Sequence, residues 1–252
     1  MRPAVAFLAA VVGVFAPRSS AAASPEERFR EANEAVRGGD YPKGIALYGE
    51  LAASGAESVA LYWNWAQAAR ARGAQGEALW ALLRARELDP SDAAVLRDAE
   101  RLREGANLDR AEIAPEPLAG LARAARRFRL DVAALLLLVL SLGGHAALRL
   151  IPSAGRLVPI AWTALLLGLL TAAVPVAASF ARPTGVVVRR GAPLLDAASP
   201  TAKAAGALRE GEVVPILEAS GHYLRVEDSS GARGWARAAD VWPLEGPPRR
   251  GR

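Results

Sequence analysis

Gly39-Asp40-Tyr41-Pro42-Lys43-Gly44-Ile45 and Gly73-Ala74-Gln75-Gly76-Glu77-Ala78-Leu79 set the same turn-then-helix pattern at two points of the chain, their leading glycines 34 residues apart. A repeat of that length is one supersecondary unit, which buries its apolar face only by stacking on a neighbour. The frame makes residues 25–58 repeat one and residues 59–92 repeat two. Inside it, the small residues Ala32, Ala66, Gly44 and Ala78 let paired helices approach, while Tyr48, Leu51, Leu82 and Leu88 fill the layer between them. Asp92 then reads as the N-cap of a helix ending near Gly105, with Val95, Leu96, Ala99 and Leu102 on one face. That helix is a plausible cap for the stack, and residues 24–107 become one all-α unit.

Working outward, repeat two carries Tyr62, Ala66, Ala78, Ala85 and Asp89-Pro90 at the spacing of the tetratricopeptide (TPR) pattern, which it resembles. Repeat one departs from the pattern where Leu51 and Ala56 replace the usual alanine and proline. The resemblance implies a groove for extended peptides along the first helix of each repeat. Phe29, Asn33, Val36 and Arg37 share a face there, and Trp63, Gln67, Arg70 and Ala71 repeat the spacing. The candidate peptide-binding residues are therefore Phe29, Asn33, Arg37, Trp63, Gln67 and Arg70. They combine an aromatic floor, amide hydrogen-bonders and guanidinium forks suited to carboxylates. An ordinary solvated helix face has the same composition, and the sequence leaves both readings open.

Of 252 residues, 52% are hydrophobic, and these concentrate in three blocks. The first, residues 4–16, follows Arg2 and precedes Ala21-Ala22-Ala23, the order of a secretory signal cleaved before Ser24. An uncleaved anchor is the alternative, although the run is short for a span of about 20 residues. Residues 131–148 and 157–180 are nearly uncharged and predict two transmembrane helices, since backbone polar groups in lipid must be satisfied internally. The loop between them, residues 149–156, is too short to be anything but the turn of a hairpin, so both flanks lie on one side. Arg149 and Arg156 suit a cytoplasmic loop, whereas Arg123, Arg126, Arg127 and Arg129 on the outer flank oppose that orientation. The signal decides for exported flanks, because the first segment usually sets topology. The stretch 108–130 reads either as a basic amphipathic helix on anionic headgroups or as a continuation of the first membrane helix. His145 falls near the end of its span with no charged partner, which suggests a neutral interfacial histidine.

From Gly185 the pattern changes to short strands with turn signals. Val186-Val187-Val188, Pro193-Leu194-Leu195, Val213 to Leu217, Tyr223 to Val226 and Gly234-Trp235-Ala236 give five strands of a small barrel over residues 185–245, followed by a disordered tail, 246–252. The succession Gly-Glu-Val-Val, Tyr-Leu-Arg-Val and Gly-Trp-Ala resembles bacterial SH3-like domains, with Tyr223 where that family often has tryptophan. The resemblance implies binding of peptide or cell-wall glycopeptide. Tyr223, Trp235 and Trp242 are the aromatic candidates for its surface, and the alternative for Trp235 is barrel core.

The fold class is thus multidomain: all-α TPR hairpins, a two-helix membrane hairpin and an all-β SH3-like barrel. Enzymatic chemistry finds no support. There is no cysteine, no phosphate loop, nucleophile elbow or acidic metal cluster, and the two histidines, His145 and His222, have no ligand-spaced neighbours. No cofactor and no metal site is expected. Among 31 basic residues only Lys43 and Lys203 are lysine, and none forms an aromatic-interleaved run, so nucleic acid is not an expected partner despite the net charge of +5. The domain order resembles BatE-type proteins of aerotolerance (Bat) operons. That resemblance implies a two-span inner-membrane protein with both soluble domains periplasmic, scaffolding other membrane or envelope proteins such as von Willebrand A-domain proteins of the same operon. A cell-wall sensor that binds peptidoglycan through the SH3-like domain is the competing reading.

Overall fold

The computed structural model describes residues 24–109, 112, 120–121, 124–125, 128–150, 155 and 158–246. The expected signal (1–23), most of the expected basic linker and all but one residue of the expected tail lie outside them.

Five helices make the N-terminal lobe: α1 (Pro25–Arg37), α2 (Tyr41–Ala53), α3 (Val59–Ala71), α4 (Gln75–Leu88) and α5 (Ala93–Gly105). Starts of α1 and α3 differ by 34 residues, as do those of α2 and α4, and the equivalent turn glycines Gly39 and Gly73 have φ of +83° and +80°. Only glycine takes that backbone freely. Capping residues fix the frame. Ser24 and Glu27 form a reciprocal capping box on α1, while Asp40, Ser58 and Asp92 accept the first-turn amides of α2, α3 and α5. Gly44 lets α1 and α2 close up, since a Cβ there would lie 2.4 Å from Val36 Cγ2. Tyr48, Leu51 and Leu82 fill the interhelical layer as expected, but Leu88 does not; it is 43% exposed at the end of α4.

α6 (Leu130–Leu150) and α7 (Val158–Ala178) are long and apolar enough to cross a membrane, and they pack together as a hairpin. Small residues are buried on both, Ala134 and Ser141 on α6 and Ala161, Ala164 and Gly168 on α7. Gly168 packs beneath Leu137 and Leu138 and Gly144 against Ala161, while Leu136, Leu142 and Leu169 are exposed. This is the packing that helices adopt in lipid, where close backbone approach replaces hydrophobic exclusion. His145 pairs through Nδ1 with the Ser141 carbonyl oxygen at 2.9 Å and meets the Trp162 ring edge-on at 5.2 Å.

The C-terminal lobe is one antiparallel sheet of seven strands, β1 (Thr184–Val187), β2 (Ala192–Leu195), β3 (Ala204–Leu208), β4 (Val213–Ser220), β5 (Tyr223–Glu227), β6 (Arg233–Arg237) and β7 (Val241–Pro243). Their order is β3-β2-β6-β5-β4-β1-β7. Two strands exceed the five expected. β3 is nearly all Ala and Gly, with four of its five residues exposed, so no apolar alternation announced it. β7 is three residues long and pairs with β1, Val186 opposite Trp242. Val187, Leu194, Val214, Leu224, Val226 and Val241 form the core of the sheet lobe.

The two lobes are not separate. One hydrophobic cluster runs from the helices into the sheet and includes Trp65, Trp80, Leu79 and Leu108 with Val186, Val213, Trp242 and Leu244. All ten residues from Gly76 to Ala85 are buried, the signature of a helix covered on every side. Trp80 meets Trp242 edge-on at 5.1 Å and donates its Nε1 proton to the Pro243 carbonyl at 2.9 Å. Buried Arg84 donates to the Leu244 carbonyl and to Glu57 (2.6 Å) and covers the Tyr62 ring at 5.3 Å. Burial pulls the Arg84 guanidinium down, but its bonds to Tyr62 and Glu57 outweigh that and hold it above its ordinary value. Ala74 cannot cap α4; the carboxylate of Glu210, from the sheet lobe, accepts the Gly76 amide at 2.8 Å instead. Leu108 and Glu112, expected in a basic amphipathic linker, are buried against the sheet lobe. Arg209 ties that segment down through Glu112 and the Asn107 carbonyl, each at 2.6 Å.

Candidate functional site

The lobe surface opposite these contacts carries a groove of about 340 Å³, lined by Asn33, Val36 and Arg37 of α1, Tyr48 of α2, and Trp63, Asn64 and Gln67 of α3. Four of the six sequence candidates, Asn33, Arg37, Trp63 and Gln67, therefore share one cavity. Phe29 does not line it; its ring packs on Tyr48 at 6.1 Å. Arg70 is exposed and also stands outside the lining.

Three residues that the spacing argument did not select organise the groove. Asn33 Oδ1 accepts from the Tyr48 hydroxyl at 2.6 Å and from Asn64 Nδ2 at 2.9 Å, which fixes its amide. Asp98, on the capping helix α5, accepts both Trp63 Nε1 (3.1 Å) and Gln67 Nε2 (3.0 Å) on the same oxygen, and Arg101 holds its other oxygen at 3.2 Å. Tyr48 and Asn64 are one helical position or one helix removed from the candidate face. Asp98 belongs to a helix read only as a cap, and its own i,i+3 pair with Arg101 was the available signal. Burial pushes the Tyr48 hydroxyl up to about 12, so it stays a donor to Asn33 at any physiological pH.

On the sheet lobe the three aromatic candidates separate. Trp242 is 8% exposed under Trp80 and Trp65, so it is an interlobe core residue and not part of a surface platform. Tyr223 and Trp235 are half-buried on adjacent strands. Tyr223 lies opposite Arg237, and Trp235 opposite Arg225. Side chains two apart on a strand share a face, so one face of β5 and β6 presents two aromatics and two arginines on alternate corners. Arg225 is loosely paired with Glu218 of β4 at 3.7 Å.

Residues 186–243 match the family model of the bacterial SH3 domain, which is a binding domain and not a catalytic one. No curated protein and no solved structure matches the chain. The strand register and the family match agree on the same segment, and the C-terminal antiparallel sheet matches an SH3-like domain.

Proposed function

We propose that the protein is a membrane-anchored adaptor: its TPR-like groove captures an extended segment of another membrane or envelope protein, and its SH3-like lobe serves as the rigid mount. The observation that carries this reading is the groove itself, lined by two helices of equivalent position and by Tyr48 of α2, with its side chains braced by Asn33, Asn64 and Asp98. A braced, half-apolar groove with amide groups suits an extended chain, whose own backbone needs hydrogen-bond partners. Both lobes are exported in this reading, and the partners belong to an envelope assembly of the kind that the BatE-type resemblance implies.

Because the chain has no cysteine, single introduced thiols report location cleanly. Ser54→Cys, Gly155→Cys and Ser220→Cys each sit at an exposed residue. In intact cells a membrane-impermeant maleimide should label positions 54 and 220 and spare 155. Labelling of 155 alone would sink the exported adaptor.

A second reading, a peptidoglycan sensor, is favoured by the family match together with the Tyr223, Trp235, Arg225 and Arg237 face. Aromatic faces stack on sugar rings, and arginine pairs with stem-peptide carboxylates. Retention of the detergent-solubilised full chain on purified sacculi, abolished by Trp235→Ala but not by Trp63→Ala, would favour the sensor. No retention would leave the adaptor.

A further inference from the structure

We infer that the groove selects an extended peptide that carries an acidic side chain next to an apolar one; this rests on the adaptor reading and specifies its ligand. The donors and acceptors left over in the groove carry the argument. Asn33 Oδ1 already holds two donors, so what Asn33 offers a ligand is its Nδ2 group. Trp63 Nε1 and Gln67 Nε2 are both spent on Asp98, which leaves the Trp63 ring face and Gln67 Oε1 toward the cavity. Val36 adds an apolar wall. The Asn33 donor and the Gln67 acceptor match the carbonyl and amide of one extended peptide unit. The Trp63 face and Val36 match an apolar side chain on that unit.

Arg37 supplies the charge. Its Nε donates to the Asn33 carbonyl oxygen at 3.3 Å, and no carboxylate among the described residues pairs with it. By contrast, Arg28 and Lys43 on the same pair of helices are each spent on a carboxylate, Glu50 and Glu31. Asp98 puts no net demand on a ligand, because Arg101, Trp63 and Gln67 already satisfy it. The groove therefore presents one uncommitted guanidinium beside an indole, and the complementary ligand is a carboxylate flanked by an apolar group.

The test is a randomised nonapeptide array probed with the detergent-solubilised full chain. Wild type should enrich Asp or Glu within two residues of an aromatic or branched apolar residue by about tenfold. That preference should invert to Lys or Arg in Arg37→Glu and be unchanged in Arg70→Glu, whose side chain is outside the groove. Enrichment that depends on Trp63 but ignores charge, or survives Arg37→Glu unaltered, overturns the acidic specificity and leaves peptide binding standing. Enrichment that is the same in wild type and Trp63→Asp overturns the groove as a peptide site altogether.

Discussion

Trp80→Ala is the substitution that most directly asks whether the helical and sheet lobes are one folding unit. Trp80 is fully buried and touches three aromatic rings: Trp65 at 5.1 Å, Trp242 at 5.1 Å and Tyr62 at 5.7 Å, all edge-on. Truncating a buried tryptophan costs about 3–5 kcal/mol through lost transfer and the cavity left behind. The ring contacts add about 0.5–1.5 kcal/mol each where they exceed burial, and the bond to the Pro243 carbonyl adds about 1 kcal/mol. These terms overlap, so about 5 kcal/mol is expected, a third or more of the stability of an ordinary domain. The assay is amide hydrogen exchange of the full chain in detergent. A shared core predicts that Leu224, Val226 and Ala236, in strands that Trp80 does not touch, lose protection together with the α2 amides and by the same free energy. If those strands keep wild-type protection while α3 and α4 lose theirs, the lobes are independent and the single-body account is wrong. Trp80→Phe, which keeps a ring and loses the N–H, should cost about 1–2 kcal/mol and show the same spread.

Other consequences follow from the same geometry. Glu210→Ala removes the cap that the sheet lobe supplies to α4, and urea unfolding should report about 1 kcal/mol, the usual value of an N-cap. Gly76→Val should cost several kcal/mol, because its Cβ would lie 2.4 Å from the Val187 carbonyl oxygen, a backbone atom that cannot rotate away. Asp98→Ala frees Trp63 and Gln67, and should weaken peptide binding several-fold with little change in unfolding midpoint, as read by fluorescence anisotropy against an array-selected peptide. Burial raises Tyr48 and, with help from Glu57, Tyr62 to about 12, against 10.0 for free tyrosine. Between these values the unfolded chain gives up protons that the folded chain keeps. Stability is thus intact below pH 10 and falls as pH rises through 12, by up to about 2 kcal/mol per tyrosine. Tyr48→Phe should make that fall shallower in denaturant titrations.

The 34-residue period and its turn glycines were legible because a helix-turn-helix repeat writes itself in local chemistry, in caps, small residues and apolar spacing. The hairpin was legible for the same reason. What could not be read was the contact between elements 100 or more residues apart. Trp242 reads as a surface aromatic in the sequence because Val241-Trp242-Pro243 is too short to show which face is covered. Yet α4 did carry a sign of double burial: Ala78-Leu79-Trp80-Ala81-Leu82-Leu83 has no polar face, unlike a helix with one side in water. Ala74 at a position that normally holds Ser, Thr, Asp or Asn was a second sign, since an uncapped helix start in a buried region must find its acceptor elsewhere. In the groove, spacing alone found Asn33, Arg37, Trp63 and Gln67 on the two first helices, and it also selected Phe29 and Arg70, which stand outside the lining. It could not find Tyr48, Asn64 or Asp98, whose contribution depends on which helices meet.

The shared core also constrains the membrane arrangement, independently of charge rules. Any bilayer that contains α6 must leave Trp80 and Trp242 on one side of it, because the two rings are 5.1 Å apart. The number of crossings between α5 and β1 is therefore even. Crossing by both α6 and α7 meets that condition, and a single crossing would divide the core. Five residues, 179–183, separate α7 from β1, and a chain of that length reaches at most about 20 Å. With α7 in a bilayer, the sheet lobe would be held close to its surface, and the helical lobe is fixed to the sheet lobe through Trp80, Arg84 and Glu210. The groove cannot swing freely as it would on a flexible linker. In the proposed adaptor, a ligand would have to reach it at a set height and angle, a condition that a segment of another membrane-attached protein meets more easily than a diffusing one, because attachment to the same surface raises its effective concentration.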